Sequence, residues 1–433
     1  MSSILSEVME DASVRRRFED TAWVDEYLQA GSAHGEPIYL SVGETWSQAP
    51  DGLTRLLGAE MPDHVHGYVI SQYGLPALLR VLRSYIPRTA GLPGDVGASG
   101  DFDVAVACSG TRNSMYDFGR LIRDRARGRP VVIMYAPGWD YHGVFHGLGF
   151  RFTYLPLRPD EAFQPRPADL EEELRDLDVP GDAIVVVNAQ HNPTGMNWDE
   201  DNVRRILGAA AGAGANILID DAYFGVTDPG TPATSALRLL LEDRPRPSGR
   251  WLAVRSLGKQ FNCNGWGVGS IAAGPDTIDE LVNRYLANRS FTCAVPLQYA
   301  MAQWLESEAS RTYLDWFRRL CAENRALVND FLVRELKYPA ESFQAGSCTS
   351  YLVFPIPPAY QEHADGVHRY RRDCFNETGV LLGAGTMTPE SSTDQNRPDP
   401  FPYARMFLAP SSDTVITALR RMAEARFSWD RPC

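Results

Sequence analysis

Short apolar segments alternate with amphipathic ones through the middle of this sequence, and this alternation restricts the fold more than any other feature. Apolar segments that fit β-strands lie at residues 104–108, 130–135, 150–155, 183–188, 216–220 and 251–256. Segments 112–127, 167–177 and 199–213 lie between them and have the spacing of amphipathic helices. Strands that alternate with helices predict a mostly parallel central sheet with helices on both faces. We expect this large α/β domain to span residues 61–300.

The C-terminal part of the chain has a different pattern. Residues 300–338 have helical spacing and are rich in Leu, Trp and charged side chains. Strand candidates and a last helix follow, at residues 350–354, 380–382, 405–408 and 412–427. This order predicts a smaller α+β domain over residues 301–433. Residues 1–60 would form an N-terminal arm and part of the same small domain.

Composition disfavours several classes of protein. The 433 residues are 44% hydrophobic and 22% charged, which is ordinary for a globular protein. The longest apolar runs are too short to span a membrane, and residues 1–20 lack the apolar segment of a secretion signal. Seven scattered cysteines without metal-ligand spacing predict free thiols in a cytoplasmic protein and no metal site. The net charge of -13 disfavours a nucleic-acid partner.

Polar and aromatic residues follow the predicted strands at the ends where open α/β sheets bind ligands. In chain order they are Ser109, Gly110, Thr111, Trp139, His142, Asn192, Asp220, Tyr223, Ser256 and Lys259. This set matches what the cofactor pyridoxal phosphate (PLP) needs. A lysine forms an imine with it, and a carboxylate keeps its pyridine nitrogen protonated. A flat side chain stacks on its ring, and donors at a helix N-terminus hold its phosphate.

Three spaced motifs within this set resemble those of the class I and II aminotransferases, which are PLP-dependent enzymes of fold type I. The motifs are Asn192-Pro193-Thr194-Gly195, Asp220-x-x-Tyr223 and Ser256-x-x-Lys259. Segment 68–80, Tyr-x-x-x-x-x-Gly-Leu-Pro-x-Leu-Leu-Arg, is also similar apart from one extra residue. The likeness extends from about residue 37 to the C-terminus. It implies an amino acid substrate and a homodimer with its active site at the subunit interface.

The resemblance implies a role for each residue of the predicted PLP site. Lys259 is the Schiff-base lysine and acid–base catalyst, and Asp220, supported by His142, pairs with the pyridine nitrogen. Trp139 stacks on the ring. The remaining residues contact the phenolic oxygen (Asn192 and Tyr223) or the phosphate (Ser109, Gly110, Thr111 and Ser256). Because His146 lies one helical turn from His142, a packing role for His142 is the alternative.

The resemblance also implies residues that bind substrate or cross a subunit interface. Arg405 resembles the arginine that binds the substrate α-carboxylate, a task that suits a planar guanidinium. Asn192 and Gly43 would contact the substrate as well. Tyr68 would reach the phosphate of the neighbouring subunit, although the extra residue leaves Tyr73 as an alternative.

One position departs from the family pattern. The family commonly has Gly-Trp-Arg-x-Gly after the lysine, whereas this chain has Gly-Trp-Gly-Val-Gly, with Gly267 in place of the arginine. The missing pair with the phosphate is typically worth about 1.5–3 kcal/mol. Either another arginine substitutes, or the cofactor is held less tightly. Gly267 also leaves space for a large substrate or a second ligand.

Two PLP reactions on amino acids therefore remain open. The first is transamination, in which Lys259 removes the Cα proton and a 2-oxo acid is released. The second is a specialised biosynthetic reaction, namely elimination, β- or γ-replacement, or cyclisation, which shares that proton removal. A PLP-binding regulator is disfavoured because only about 36 residues precede the family-like part. A nicotinamide dehydrogenase is disfavoured because no Gly-x-Gly-x-x-Gly follows the first strand.

Overall fold

The computed structural model describes residues 19–41, 49–94, 100–242, 247–289, 292, 294–388 and 401–433. Its strands are β1 Ile38–Leu40, β2 Asp103–Cys108, β3 Val131–Ala136, β4 Arg151–Pro156, β5 Ala183–Val187, β6 Asn216–Asp220, β7 Trp251–Ser256, β8 Val268–Ala273, β9 Tyr351–Pro355, β10 Val380–Ala384 and β11 Tyr403–Phe407. Its α-helices are α1 Glu19–Gln29, α2 Asp51–Arg55, α3 Pro76–Ala90, α4 Thr111–Arg123, α5 Tyr141–Phe145, α6 Pro167–Arg175, α7 Glu200–Gly212, α8 Ala236–Glu242, α9 Leu257–Gln260, α10 Pro275–Glu280, α11 Ala287–Arg289, α12 Val295–Glu306, α13 Glu308–Arg334, α14 Pro358–Gln361, α15 Gly366–Thr378 and α16 Ser412–Glu424.

The larger sheet has the strand order β2-β8-β7-β6-β5-β3-β4. Strand β8 is antiparallel to both of its neighbours, and the other neighbouring pairs are parallel. The predicted mostly parallel α/β sheet is thus confirmed. The sequence pattern does not reveal β8, because Val268–Ala273 consists mainly of small residues and no crossover helix separates it from β7. A short connection of this kind suits an antiparallel neighbour.

Both faces of this sheet are buried. Along β5, Val185 and Val187 pack into one hydrophobic core, whereas Ile184 and Val186 pack into a second core on the opposite face. Successive residues of a strand point to opposite faces, so a strand covered on both sides must be apolar at every position. The uninterrupted apolar run of β5 therefore reflects helices on both sides of the sheet.

The smaller sheet joins distant parts of the chain in the order β1-β10-β11-β9. Strand β1 pairs in parallel with β10, so that Ile38 faces Val380, and β11 is antiparallel to β10 and β9. The helical stretch predicted for 300–338 is two helices. Helix α12 ends at Glu306, and the Ser307 hydroxyl caps α13 by accepting a hydrogen bond from the Ser310 amide at 3.1 Å. In the part of the chain that is described, no helix has the length and apolar character needed to cross a membrane.

Candidate active site

The predicted site residues meet at one edge of the larger sheet. Strands β2, β3, β5, β6 and β7 run in the same direction, so the loops that follow them lie along a single edge. Asp220 is the last residue of β6 and Ser256 the last residue of the adjacent β7. Ser109, Trp139 and Asn192 come from the loops after β2, β3 and β5. The strand directions therefore bring together residues that are far apart in sequence.

Asp220 is a buried carboxylate with defined partners. Its side chain is 5% exposed. The Tyr141 hydroxyl donates to Asp220 Oδ2 at 2.7 Å, and the Ala222 amide donates to Oδ1 at 3.0 Å. Burial raises the pKa of Asp220, while the Tyr141 hydrogen bond and the charge of Lys259 oppose the rise. The carboxylate and the lysine are therefore electrostatically coupled, and the carboxylate retains lone pairs for a further donor.

The resemblance implied that His142 supports Asp220. In the structure, the side chain that contacts Asp220 is Tyr141. The His142 ring stacks on His146 with a centroid distance of 4.5 Å and lies 4.7 Å from Phe152. Burial, followed by the neighbouring His146, lowers the pKa of His142. Helix α5 begins at Tyr141, and successive helical residues point about 100° apart, so only one of the two side chains can face Asp220.

A continuous series of contacts joins the predicted catalytic lysine to the predicted carboxylate-binding arginine. The Lys259 Nζ lies 4.3 Å from the centroid of the Tyr223 ring. The Tyr223 ring meets the Tyr351 ring edge to face at 6.0 Å, and the Arg405 Cζ lies 4.2 Å from the Tyr351 centroid. Arg405 Nη1 donates to Asn192 Oδ1 at 3.0 Å. Tyr351 is a member that the sequence did not suggest, since it begins a strand of the smaller sheet and belongs to none of the motifs.

Arg405 has the surroundings of a group that binds an anion. It is 3% exposed, and its Nη2 donates to the Ser41 carbonyl at 3.4 Å. Its Nε has no hydrogen-bond partner among the described residues. No carboxylate within that same part of the chain forms an ion pair with it. A buried cation without a counter-charge is unfavourable. The guanidinium therefore fits a ligand carboxylate.

The loop after β2 has the shape of a phosphate cradle. Ser109 and Gly110 both have positive φ, 63° and 86°, and the chain then enters α4 at Thr111. No side chain from the described residues caps this helix. The first amides of a helix have no partner within it, and a concave turn of this kind binds anions. The cradle therefore fits the phosphate of PLP.

Gly267, which replaces the family arginine, lies directly against this cradle. The Gly110 amide donates to the Gly267 carbonyl at 2.7 Å. Gly267 has a φ of 61°, and a Cβ atom there would lie 3.3 Å from the Cα of Ser109. A left-handed backbone and so close a neighbour both favour glycine. The loop conformation thus favours glycine at position 267, and an arginine there would require the backbone to change.

Two further loops border the site. The partly buried Trp139 meets the Tyr141 ring edge to face at 5.1 Å, and the Arg112 guanidinium lies 4.5 Å from its ring centroid. The Ser256 hydroxyl accepts a hydrogen bond from the Lys259 amide at 3.4 Å and so caps α9. Gly43, the other residue expected to contact substrate, lies outside the described residues.

The two tyrosines considered for the subunit interface differ in their surroundings. Tyr68 is 84% exposed. The Tyr73 hydroxyl donates to Asp279 Oδ1 at 2.7 Å, and burial, followed by that hydrogen bond, raises the pKa of Tyr73 to about 12. The Tyr73 hydroxyl is thus bound within its own chain, and most of the Tyr68 side chain is accessible to solvent.

Lysine is rare in this protein, which makes Lys259 conspicuous. The chain has 42 Lys and Arg residues in total, and only Lys259 and Lys337 are lysines. Lys337 is exposed and donates to the Arg334 carbonyl at 2.5 Å. Apart from Lys337 in that surface turn, Lys259 is therefore the only lysine of the chain.

Known proteins with related sequences and folds are aminotransferases. Aspartate aminotransferase from Sulfolobus acidocaldarius is 27% identical over 300 residues, which are 69% of each chain. Methionine aminotransferase from Escherichia coli is 25% identical over 287 residues, 65% of this chain and 68% of that one. A Thermus thermophilus aspartate aminotransferase double mutant has the same fold, with a TM-score of 0.74 at 20% identity over 95% of this chain and 97% of that one.

The sequence profile of the family described as aminotransferase class I and II matches residues 105–386. That match covers the cradle after β2, the Asp220 and Lys259 motifs, and strands β9 and β10 of the smaller sheet. It confirms the resemblance inferred from the motifs. This chain belongs to the class I and II aminotransferase family of PLP-dependent transferases.

Proposed function

We propose that this enzyme transfers the amino group of an α-amino acid to a 2-oxo acid, with Lys259 as the residue that binds PLP covalently and moves the Cα proton. The observation that carries this proposal is the series of contacts from Lys259 through Tyr223 and Tyr351 to Arg405. It connects an amine to a buried guanidinium whose Nε has no partner among the described residues. Reaction of an α-amino acid requires both groups at once, since the guanidinium binds its carboxylate while the amine moves the proton of its Cα.

The residues around the site fit PLP. The Ser109–Thr111 cradle would bind the phosphate through the hydroxyls of Ser109 and Thr111 and the first amides of α4, with Ser256 beside it, whereas the Gly110 amide already donates to the Gly267 carbonyl. Asp220 would accept a hydrogen bond from the pyridine nitrogen, and Trp139 would pack against the ring. Asn192 and Tyr223 would donate to the phenolic oxygen. PLP itself supplies an aldehyde that bonds to amines and a ring that delocalises negative charge.

Asp220 must remain ionised to perform its part. Burial alone raises the pKa of Asp220, and the Tyr141 hydroxyl counters this by donating to Oδ2. The pKa of Tyr141 is well above its usual value, mainly because the phenol is buried, so Tyr141 stays a donor. The positive charge of Lys259 lowers the pKa of Asp220 further. An anionic Asp220 favours the protonated form of a facing nitrogen.

Arg405 and Asn192 would hold the α-carboxylate of the substrate. Arg405 Nη1 already donates to Asn192 Oδ1, so the amide fixes the orientation of the guanidinium. The Tyr351 ring, whose centroid lies 4.2 Å from the Arg405 Cζ, limits the movement of the same guanidinium. With the carboxylate held there, the Lys259 amino group would accept the proton from Cα and later return it. Fixed orientation of this kind accounts for a large part of enzymatic rate enhancement.

We further propose that the active enzyme is a homodimer in which Tyr68 acts in the neighbouring site. Tyr68 is 84% exposed and Ile70, two residues later, is 99% exposed. Large apolar side chains at such exposure favour a protein interface. A cytoplasmic location is also proposed, since the cysteines of the described residues form no disulfide with one another.

A single-turnover experiment tests the reaction type. The PLP-loaded enzyme is mixed with a panel of amino acids without any acceptor, and the products are quantified. Transamination releases up to one equivalent of the matching 2-oxo acid per site and no ammonia, because the amino group stays with the cofactor. Continuous release of ammonia, or loss of a side-chain group from β- or γ-substituted amino acids, would instead identify the elimination or replacement reaction.

The substrate is proposed only as a class. Two of the related proteins named above are named for different amino acids, aspartate and methionine. Arg405 and Asn192 would bind the part that all α-amino acids share. The same panel of amino acids therefore also identifies the side chain that this enzyme prefers.

A further inference from the structure

The proposed cofactor residues have sequence neighbours that form a second, buried polar group behind the site. Three site residues each have one such neighbour: Asp220 has Asp221, Ser256 has Arg255, and Lys259 has Gln260. These neighbours are 2%, 3% and 1% exposed. Arg255 and Gln260 contact the side chains of Thr89 and Tyr85 on α3, and Asp221 pairs with Arg255. We call this set (Tyr85, Thr89, Asp221, Arg255 and Gln260) the buried polar layer.

Arg255 contacts three different elements from its place near the end of β7. Its Nη2 donates to Asp221 Oδ2 at 3.3 Å, which holds the loop after β6. Its Nη1 donates to Thr89 Oγ1 on α3 at 2.6 Å. Its Cζ lies 4.0 Å from the centroid of the Phe224 ring, in the same loop as Tyr223. A planar guanidinium can form a fork of hydrogen bonds and stack on a ring at the same time.

The remaining contacts close a circuit that includes the helix of Lys259. Gln260 Nε2 donates to the Phe224 carbonyl at 2.6 Å, and the Tyr85 hydroxyl donates to Gln260 Oε1 at 3.2 Å. Tyr85 and Thr89 lie one turn apart on α3, where Thr89 Oγ1 donates to the Tyr85 carbonyl at 2.7 Å. Helix α9, the 221–224 loop and α3 are thus linked through buried polar atoms.

We propose that Arg255 is a positioning residue for the reaction, which fixes the loop after Asp220 relative to the helix that carries Lys259. This inference rests on the proposed function, since it assigns Arg255 to the same site. Arg255 would not touch the cofactor or the substrate. It would act by holding Asp221 and Phe224, whose backbone leads directly to Asp220 and Tyr223.

The charges in the buried polar layer support this role. Burial raises the pKa of Asp221 to about 6, the charge and hydrogen bond of Arg255 oppose the rise, and the nearby Asp220 adds to it. Without Arg255, Asp221 would either take up a proton or remain as an uncompensated charge beside Asp220. Both outcomes would alter the surroundings of the cofactor nitrogen, since a buried charge is strongly sensitive to the loss of its partner.

The test compares Arg255→Met, Arg255→Lys and Asp221→Asn with the unmodified enzyme. The measurements are the dissociation constant of PLP from the apo protein, kcat and KM for the preferred amino acid, and the melting temperature of the apo protein. In Arg255→Met, we expect the loop after Asp220 to lose its fixed position relative to the helix of Lys259. PLP should then bind about tenfold more weakly, and kcat should fall on the order of 100-fold. KM should change much less, because Arg405 and Asn192 are untouched.

The other variants separate positioning from general stability. Arg255→Lys should recover part of kcat, since it keeps the charge but not the fork and the stacking. Asp221→Asn should act in the same direction as Arg255→Met, and the double variant should show less than the sum of the two effects. Arg83→Met is the matched control, because Arg83 lies on α3, the helix that Arg255 contacts, and pairs with Asp103 at 3.0 Å on the surface. The Arg83 variant should have the PLP affinity, kcat and KM of the unmodified enzyme.

Thr89→Val provides a second route if Arg255→Met does not fold. It removes the contact between Arg255 and α3, together with the hydrogen bond from Thr89 Oγ1 to the Tyr85 carbonyl within that helix, and should lower kcat in the same direction. The inference is overturned if the folded Arg255 and Thr89 variants melt at lower temperature yet keep the PLP affinity and kcat of the unmodified enzyme. If the unmodified enzyme itself binds no PLP, the proposed function is overturned together with the inference.

Discussion

The Tyr141 hydroxyl donates a hydrogen bond of 2.7 Å to Asp220 Oδ2, and both groups are buried. This pair determines the charge at the proposed pyridine-binding position. Burial favours the neutral acid form of Asp220, whereas the hydrogen bond favours the anion. The balance between burial and this hydrogen bond can be measured directly.

Tyr141→Phe should raise the pKa of Asp220, because the hydrogen bond that stabilises the carboxylate is removed while the burial remains. A hydrogen bond to a charged group is worth about 1.5–3 kcal/mol. Since activity requires the anion, the acidic limb of the kcat–pH profile should move to higher pH. His142→Asn is the matched control and should leave that limb in place, because His142 packs on His146. A profile that moves in the His142 variant and not in the Tyr141 variant would contradict this assignment.

Arg405→Met should reduce kcat/KM for amino acids far more than for amines of the same side chain, since only the former carry the α-carboxylate. Removing one partner of a buried charged pair in a complex costs about 2–5 kcal/mol. Arg405→Lys should recover little, because a lysine cannot reproduce the planar fork between Asn192 and the substrate. Equal losses for amino acids and amines would show that Arg405 has a different role.

Gly267→Arg should not strengthen PLP binding, although it restores the residue found in the family pattern. The φ of 61° at Gly267 costs a residue with a Cβ about 1–2 kcal/mol, and that Cβ would press on Ser109. We expect lower stability in urea unfolding and weaker PLP binding. Gly265→Ala is the control, because a Cβ there meets no atom within 4 Å. Tighter PLP binding by the Gly267 variant would refute the view that the loop is built for glycine.

Tyr68→Phe should weaken PLP binding only through the neighbouring subunit. Lys259→Ala and Tyr68→Phe chains can be mixed so that hybrid dimers form. One site of each hybrid then contains both Lys259 and the partner's Tyr68, and activity should exceed that of either variant alone. Tyr73→Phe should instead lose a hydrogen bond to Asp279 and behave as a local change. Absence of recovery in the mixture would contradict a role for Tyr68 across the interface.

Much of the larger sheet follows from the sequence because its central strands are buried on both faces. Strands such as β5, with the continuous run Ala-Ile-Val-Val-Val, are apolar at every position and stand out between amphipathic helices. Strand β8 escapes prediction because Val268–Ala273 is rich in small residues and no crossover helix separates it from β7. The break between α12 and α13 escapes it too, since a single serine cap interrupts a continuous helical pattern.

The limits of prediction at the site have a geometric cause. Motif spacing placed Asp220, Asn192 and Lys259 at strand ends, and the parallel strands bring those ends together. Whether Tyr141 or His142 faces Asp220 depends on where α5 begins, because a shift of that start by one residue would exchange the two side chains. Tyr351 reaches the site from the smaller sheet, so its contact with Tyr223 and Arg405 depends on tertiary packing rather than on any local pattern.

The most direct test of Lys259 as the cofactor lysine is borohydride reduction of the PLP-loaded protein followed by mass spectrometry of its peptides. The chain contains only one other lysine, Lys337, so the possible labelled side chains are few. We predict a stoichiometric label on Lys259, full labelling in Lys337→Arg and none in Lys259→Ala. A label on Lys337 in the unmodified protein, or a Lys259→Ala protein that is labelled to the same extent, would contradict the assignment.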